Sequence, residues 1–284
     1  MEVTFWGVRG SVAAPGEAFN RYGGNTTCAS VRAADGELTI LDAGTGIIEL
    51  GRRWMEEGLG GEKGEAHLLL THAHWDHIQG FPFFVPAYIP GNSLTIMGPG
   101  DSAGVLEEIL EGQMAPNVSP LHSLNNLGAK ITIRPFSPGM IEAVGGLEVS
   151  CDLLPHGRSE TLVYRLMEAG RSLVFATDLL CEDQASRERL LTLSRGADCL
   201  VHDCTFTPED QADRRQRGYS SIADAASMAA AAGVRTLVMT HYDQDYTDDQ
   251  VDRLAERCRD LLDQEPGGKE VKLVAAREGL TIEV

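Results

Sequence analysis

Runs of apolar and β-branched residues recur along the chain and predict short strands, mostly bounded by glycine, aspartate or histidine. Helical patterns alternate with them. One helix begins with the capping spacing of Ser221 and Asp224 and stops at Gly233, and another runs from Thr247 to about residue 262. The predicted strands cover residues 3–6, 38–41, 68–71, 147–153, 161–166, 172–176, 199–202 and 236–240. This alternation predicts an α/β or mixed layered architecture in which helices cover sheets.

No linker or low-complexity tract divides the 284 residues, so one domain over residues 1–284 is predicted. The least regular segment, residues 86–138, carries many Gly, Pro and Asn residues around a predicted helix near residues 102–113. Such a segment is a candidate for a lid or a contact surface, and an ordinary surface excursion is the alternative.

Charge and cysteine usage narrow the classes of partner and compartment. The formal net charge of −18 disfavours long nucleic acids, because an acidic surface repels a polyanion. The basic run Arg214-Arg215-Gln216-Arg217 is the exception, and it is interpreted as a solvated face. Six cysteines without a CxxC pair indicate buried thiols in a reducing compartment. With no leader-like N-terminus and no apolar stretch of about 18 residues, the chain is expected to be cytoplasmic and not membrane-bound.

Three of the eight histidines fall within residues 72–77, directly after the apolar run 68–70. On a strand that leaves a sheet, His72 and His74 project to the same side, and a turn after them brings Asp76 and His77 back toward the same point. Imidazole nitrogens and a carboxylate oxygen that converge in this way suit zinc or a similar borderline ion. The cluster therefore predicts a metal site.

Three further candidates, His156, Asp178 and His241, each follow an apolar β-type run. Taken singly, each has an ordinary alternative as a turn or cap residue. Strand ends at one edge of a sheet are where α/β folds place function, so we expect these residues to join the early cluster. Together the two sets supply seven ligands, as many as a dinuclear site needs.

The order HxHxDH, then a distant His, an Asp and a His, preceded by Asp42-Ala43-Gly44-Thr45-Gly46, resembles the metallo-β-lactamase superfamily over essentially the whole chain. The resemblance implies a four-layer αββα sandwich with two mixed β-sheets. Residues 7–11, 21–28 and 197–203 are similar to the phosphodiesterase branch. That branch includes tRNA 3′-end processing nucleases, phosphoribosyl cyclic phosphodiesterases and cyclic-nucleotide-degrading enzymes, and it suggests a homodimer.

The resemblance also implies roles for the seven ligands around two divalent metal ions. The first ion would be held by His72, His74 and His156, the second by Asp76, His77 and His241, and Asp178 would bridge them. Zinc is favoured, and manganese stays open because imidazole and carboxylate accept both ions. Two such ions make hydroxide available near neutral pH for in-line attack on phosphorus, and Asp76 is a candidate to orient that nucleophile. Asp42 is expected either to orient a ligand imidazole or to cap a helix.

The chain departs from the related phosphodiesterases where many carry a Gly-His-Ser element, because it has Gly218-Tyr219-Ser220 there. Tyr219 is therefore a candidate catalytic residue, and His202, His122 or a metal-bound water are alternatives for protonating the leaving group. Three residues are candidates for substrate binding: Asn25, Thr26 and Ser220. The glycines before Asn25 would let backbone amides approach a phosphate, and a plain hairpin turn is the alternative.

The leading hypothesis is a metal-dependent phosphodiesterase that acts on a small phosphodiester, such as a cyclic nucleotide or a cyclic ribose phosphate. One alternative is a metal-dependent hydrolase that cleaves an ester, thioester or lactam bond in place of a phosphodiester, because the same ligand set serves acyl hydrolysis elsewhere in the superfamily. A second alternative is a non-catalytic nucleotide-binding or scaffold protein. A redox di-iron site is less favoured, since it usually requires more carboxylate than the cluster offers.

Overall fold

The computed structural model describes residues 1–58, 63–100, 102–120 and 123–284. These residues form two mixed β-sheets with helices on their outer faces. The strands are β1 (Glu2–Gly7), β2 (Cys28–Arg32), β3 (Leu38–Leu41), β4 (Glu65–Leu69), β5 (Ser93–Gly98), β6 (Lys130–Pro135), β7 (Ile141–Val144), β8 (Leu147–His156), β9 (Ser159–Glu168), β10 (Arg171–Ala176), β11 (Cys199–Asp203), β12 (Thr236–Thr240), β13 (Lys272–Ala275) and β14 (Thr281–Glu283). The helices are α1 (Gly46–Glu56), α2 (Trp75–Ile78), α3 (Ala103–Met114), α4 (Gln184–Ser194), α5 (Pro208–Arg214), α6 (Ile222–Ala232) and α7 (Asp248–Gln264).

The first sheet has the strand order β14-β1-β2-β3-β4-β5-β6, and the second has the order β13-β12-β11-β10-β9-β8-β7. In the first sheet, β3 to β6 are mutually parallel and the remaining neighbours pair antiparallel. The second sheet mirrors this arrangement, with β10 to β13 parallel and β7 to β10 joined by antiparallel pairs. The four-layer αββα sandwich with two mixed sheets is thus confirmed.

Alternation on the strands explains how both faces of the first sheet become buried. On β4 and just beyond it, Ala66, Leu68 and Leu70 pack in a core with α1 and α3, whereas Leu69 packs in a core shared with the second sheet. Strands buried on both faces have continuous apolar runs, which is why this stretch reads as Leu68-Leu69-Leu70. The shared core also includes residues of α6 and α7.

Several boundary signals in the sequence have the structures they predict. Ser221 and Asp224 form a complete capping box at the start of α6, and Gly233 ends that helix in the left-handed conformation. Thr247 and Gln250 form the corresponding box on α7. The described part of residues 86–138 contributes β5, α3 and β6 to the first layers of the sandwich. All six cysteines are free thiols, and all but Cys181 are buried.

No helix among the described residues is both long and apolar enough to span a lipid bilayer.

Candidate metal centre

Strands from both sheets end at the same edge of the sandwich, and the predicted ligands lie directly at these ends. The first sheet supplies the turn after β4, and the second supplies the last residue of β8 and the residues after β10 and β12. The structure brings all seven predicted ligands together there: His72, His74, Asp76, His77, His156, Asp178 and His241. This is the edge at which α/β sheets place their sites.

The seven side chains divide into two groups, His72, His74 and His156 in one and Asp76, His77, Asp178 and His241 in the other. Within each group, the candidate ligand atoms lie within 4.8 Å of one another. Asp178 connects the groups. Its Oδ1 lies 3.0 Å from Nε2 of His241 and 3.8 Å from Nε2 of His156, and its Oδ2 lies 3.1 Å from Nε2 of His77. The carboxylate is thus placed where a bridging ligand would be.

The inward-facing atoms of this cluster are buried, and among the described residues they make no hydrogen bond of good geometry, although Asp178 oxygens lie close to Nε2 of His77 and His241. They are Nε2 of His72, His77 and His241 and both carboxylate oxygens of Asp178. A buried polar atom without a partner costs about 1–3 kcal/mol, so five of them in one place need a compensating ligand. Imidazole nitrogens and carboxylate oxygens are ligands for borderline divalent cations, and the residues present therefore fit a pair of such ions.

Asp42, after β3, holds the imidazole of His77 in the required orientation. Its Oδ2 accepts a hydrogen bond from Nδ1 of His77 at 2.8 Å, which leaves Nε2 facing the cluster. Thr71 completes the arrangement. Its backbone N–H and hydroxyl donate to the Asp42 carboxylate, and the hydroxyl oxygen lies 3.1 Å from Nδ1 of His72. The interpretation of Asp42 as an orienting group, rather than a helix cap, therefore fits its contacts.

Two further imidazoles of the cluster are oriented by contacts that could not be predicted from the sequence. Nδ1 of His241 lies 3.1 Å from the hydroxyl of Thr205, which itself donates to the backbone carbonyl of His241. Nδ1 of His156 donates to the backbone carbonyl of Gly218 at 3.1 Å. Both contacts join residues 36 or more positions apart, so no local pattern signals them.

Charges in the cluster act strongly on one another. Burial lowers the pKa of His77, but the carboxylates of Asp178, Asp42 and Asp76 raise it far more. Burial likewise opposes the charged form of His241, and Asp178 and Asp76 nevertheless raise its pKa to about 10. A cation must displace protons from these imidazoles when it binds, so metal uptake is linked to proton release.

The backbone at the site is strained. Among the described residues, six other than glycine have positive φ, and four of them lie at the site: Ser11 (67°), Asp42 (61°), Asp178 (60°) and His241 (58°). Such conformations cost roughly 1–3 kcal/mol each and persist where the surrounding structure over-determines them. Asp178 and His241 direct their side chains into the cluster from these positions, while Ser11 and Asp42 contact the clustered residues Asp76 and His77.

A model of the beta-lactamase superfamily domain matches residues 39–242, a range that contains all seven clustered residues. The chain belongs to the beta-lactamase superfamily. It is similar to a ribonuclease Z from Haloferax volcanii, with 27% identity over 310 residues that cover 93% of this chain and 91% of the relative.

Solved structures of superfamily proteins show the same architecture. The short form of human tRNase Z matches with a TM-score of 0.66 and 18% identity, covering 100% of this chain and 99% of that one. A diphosphatase of the PhnP family matches with a TM-score of 0.67 and 18% identity, covering 100% and 97%. The resemblance to the phosphodiesterase branch of the superfamily is confirmed, as is the prediction of a metal-dependent hydrolase.

Tyr219 lies beside the clustered residues. Its ring centroid lies 5.2 Å from those of both His156 and His241, and its hydroxyl lies 3.2 Å from Oγ of Ser11. Burial and the nearby charges of Asp178 and Asp76 raise its pKa above the usual value. The phenol therefore stays protonated at neutral pH and can donate a hydrogen bond.

Residues 10 and 11, within the N-terminal segment 7–11 that is similar to the phosphodiesterase branch, pack against the second group of clustered residues. The backbone N–H of Ser11 donates to Oδ2 of Asp76 at 2.6 Å. Gly10 packs directly against His241, because a Cβ at this position would lie 2.3 Å from Cε1 of that imidazole. Only glycine allows this approach.

The three candidates for substrate binding use their polar groups to hold loops. Nδ2 of Asn25 donates to the Glu278 carboxylate at 3.0 Å, and the hydroxyl of Thr26 accepts from the backbone N–H of Thr45 at 2.8 Å. The hydroxyl of Ser220 donates to the backbone carbonyl of Leu179 at 2.5 Å. The structure thus ties these side chains to neighbouring loops, and none of these contacts is with a metal ligand.

The contacts of His202 are likewise with its own strand. Its Nδ1 donates to the backbone carbonyl of Asp203 at 2.9 Å, and the imidazole is buried. Asp203 in turn accepts from the backbone N–H of Ser220 at 2.8 Å and so fixes the residue next to Tyr219. Asp203 ends the segment 197–203 that is similar to the phosphodiesterase branch, but its contact with Ser220 could not be predicted from that similarity. His122, the other alternative, lies outside the described residues.

The basic run at residues 214–217 lies beside the site, immediately before Gly218. Arg214 and Arg217 pair with the buried carboxylate of Asp243, and Arg215 pairs with Glu182. A cavity of about 510 Å³ next to Gly218 is lined in part by Arg215 and Glu182. The guanidinium groups are partly solvated, as predicted, but each has an acidic partner.

Proposed function

We propose that this superfamily member is a phosphodiesterase of one domain that hydrolyses a small phosphodiester, such as a cyclic nucleotide or a cyclic ribose phosphate. One observation carries the proposal: five buried ligand atoms from both sheets converge without a hydrogen bond of good geometry among the described residues, and the Asp178 carboxylate lies between the two groups. A pair of divalent cations bound there would supply Lewis acidity and lower the pKa of a water molecule.

The chain's own residues would divide the binding of these cations between the two groups. His72, His74 and His156 would hold the first, Asp76, His77 and His241 the second, and Asp178 both. Five imidazoles and two carboxylates favour zinc, and manganese is compatible with the same ligands.

Tyr219 and Ser11 would provide hydrogen bonds to the reacting phosphate. Their hydroxyl groups lie 3.2 Å apart beside Asp76, whose Oδ2 is already held by the backbone N–H of Ser11. Because the pKa of Tyr219 is raised by burial, the phenol acts as a neutral donor and not as a titrating acid near pH 7. Such a donor stabilises charge that develops on a phosphoryl or leaving-group oxygen.

Charge supports a small substrate over a long RNA. The net charge of −18 opposes the approach of a polyanion, whereas a substrate with one phosphodiester loses little to this repulsion. One relative is named ribonuclease Z, so RNA is the competing substrate class and has to be included in the test.

The test is an assay of metal-loaded protein on bis-p-nitrophenyl phosphate, a panel of cyclic nucleotides, a base-free cyclic ribose phosphate, a 3′-extended tRNA and a thioester. We expect turnover of the small phosphodiesters. Asp178→Asn should abolish it with the fold intact, because asparagine tolerates the positive φ at this position. Asp213→Asn, on the exposed side of α5, is the matched control.

Three outcomes separate the alternatives. Turnover of none of the phosphodiesters, with two metal ions per chain confirmed by mass spectrometry, would refute the proposal. Cleavage of the tRNA alone would replace the small substrate by RNA. Turnover of the thioester alone would reassign the chemistry to acyl hydrolysis.

A further inference from the structure

The metal cluster opens to solvent at one of its ligands. Of the seven clustered residues, His74 is exposed and the other six are buried. The residue that follows it, Trp75, is 65% exposed. The largest aromatic side chain available to a protein therefore directly follows the exposed histidine and is itself largely exposed to solvent.

Helical hydrogen bonds hold the backbone of Trp75 next to this exposed histidine. It is the first residue of α2, and its carbonyl accepts the backbone N–H of Gln79 at 2.8 Å. The N–H of His77 donates to the carbonyl of His74 at 3.0 Å, so Trp75 also lies within this overlapping turn. Since His74 and Asp76 are both clustered ligands, the Cα atom of Trp75 lies about 3.8 Å from the Cα atoms of two ligands.

A second exposed apolar side chain follows a residue that contacts Asp76. Val12 is 43% exposed, and it follows Ser11, whose backbone N–H is bonded to Asp76. The sequence thus places one exposed apolar side chain directly after His74 and another next to the residue that holds Asp76. Burial of an exposed tryptophan side chain is strongly favourable, and a flat ligand that covers the indole would provide that burial.

We propose that Trp75 stacks against the base of a nucleotide substrate and so makes the enzyme prefer nucleoside phosphodiesters to base-free ones. This inference rests on the proposed function and names the class of its substrate. Stacking suits a chain with a net charge of −18, because a neutral base is not repelled by an acidic surface. The base is held by the indole while the phosphodiester faces the ligand cluster one residue away.

The kinetic test compares 2′,3′-cyclic AMP with a base-free ribose 2,3-cyclic phosphate, which contains the same scissile bond. Trp75→Ala should lower kcat/KM for the nucleotide by about 5- to 100-fold, the usual effect of removing a stacking ring, and should change the base-free substrate by less than about 3-fold. Trp75→Phe should stay within about 3-fold of the wild type on both, because a ring remains.

Two controls separate stacking from other roles of the side chain. Trp75→Leu keeps apolar volume without an aromatic face and should behave like Trp75→Ala. Phe83→Ala removes another exposed aromatic ring, 49% accessible, from beyond α2, and should leave the preference for a base unchanged. Equal losses on both substrates in Trp75→Ala, or wild-type kinetics in Trp75→Leu, would overturn the inference.

A binding measurement is independent of turnover. Trp6 and Trp54 are the other two tryptophans, so AMP should quench the indole fluorescence of the wild type, and ribose 5-phosphate should not. Trp75→Phe should lose this quenching. Base-dependent quenching without any phosphodiester turnover would refute the proposed function and leave the base site standing. Absence of quenching in the wild type would refute the base site. A dimer that is seen by sedimentation in the wild type and is lost in Trp75→Ala would also refute it, because Trp75 would then contact a second copy of the chain.

Discussion

Asp42 and His77 are joined by a hydrogen bond of 2.8 Å between the carboxylate Oδ2 and Nδ1 of the imidazole, and both side chains are fully buried. The bond fixes which nitrogen of His77 faces the cluster. Because Thr71 also donates to this carboxylate, one acidic side chain orients the turn that carries four of the clustered ligands.

Asp42→Asn should weaken metal binding by about 10- to 100-fold without unfolding the protein, because partners of metal ligands typically contribute that much. Asparagine is the right replacement, since it tolerates the φ of 61° at this position. Competition with a chromogenic chelator measures the affinity. Glu148→Gln, exposed on β8, should bind like the wild type, and equal affinity in Asp42→Asn would contradict the orienting role.

Gly10→Ala should displace His241, because the new Cβ would lie 2.3 Å from its imidazole. We expect the second metal ion to be lost and activity to fall by about 100-fold or more, as small misplacements at a reacting centre do. Metal analysis and kcat measure both effects. Gly112→Ala is the matched control: it lies in α3 with no atom within 4 Å of the new Cβ, and should stabilise the protein by about 0.5–1 kcal/mol. Retention of two metal ions by Gly10→Ala would show that His241 can move aside.

Tyr219→Phe should lower kcat by about 10- to 100-fold, the range expected when a hydrogen bond to a charged group is lost. Metal content should not change, because the ring that packs between His156 and His241 is kept. Ser11→Gly, which also relieves a positive φ, tests the partner hydroxyl. If the two hydroxyl groups act together on the phosphate, the double variant should lose less than the product of the single losses. Full activity in Tyr219→Phe would exclude the phenol as a donor.

Asp198 makes a pH-dependent contribution to the stability of the fold. It lies directly before β11, at the end of that strand opposite to the ligand cluster. Burial raises its pKa, but the backbone N–H of Ser172 and the guanidinium groups of Arg171 and Arg235 lower it more, so the net shift is downward. A lowered pKa means that the carboxylate stabilises the fold above about pH 4, its unfolded pKa, and less as pH falls through the folded value. Urea unfolding should show Asp198→Asn to be less stable than the wild type at pH 7, with the difference shrinking toward pH 3. A difference that stays constant would contradict the ionic contribution.

The ligand set and the layered architecture could be predicted because the candidate ligands lie at or shortly after the ends of apolar strands. The order of strands, by contrast, depends on contacts between distant segments. Residues 86–138 were read as irregular, yet they contain β5 and β6, which pair in parallel inside the first sheet. Both strands do alternate polar and apolar residues, with Leu94, Ile96, Ile131 and Ile133 at the apolar positions, but the runs are short and lie among Gly, Pro and Asn residues that favour loops.

The limits of prediction at the site have a similar cause. Thr205 and the Gly218 carbonyl orient ligands across 36 and 62 residues, which only the fold can bring together. Asn25 and Ser220 have the polar groups expected of substrate contacts, but hydrogen bonds that close loops use those groups. Residue types indicated which polar groups were available at the site. Which of them face the cluster and which close a loop depends on the path of the backbone.

Among the described strands, the chain passes from the first sheet to the second once, through residues 136–140 between β6 and β7, before β14 returns to the first. A cut at Gly139, which is exposed, would leave His72 to His77 on one fragment and His156, Asp178 and His241 on the other. Neither fragment alone could complete the dinuclear cluster. Recovery of metal binding after mixing the two pieces would thus report fragment complementation, and this loop offers a place to divide the protein into a split sensor.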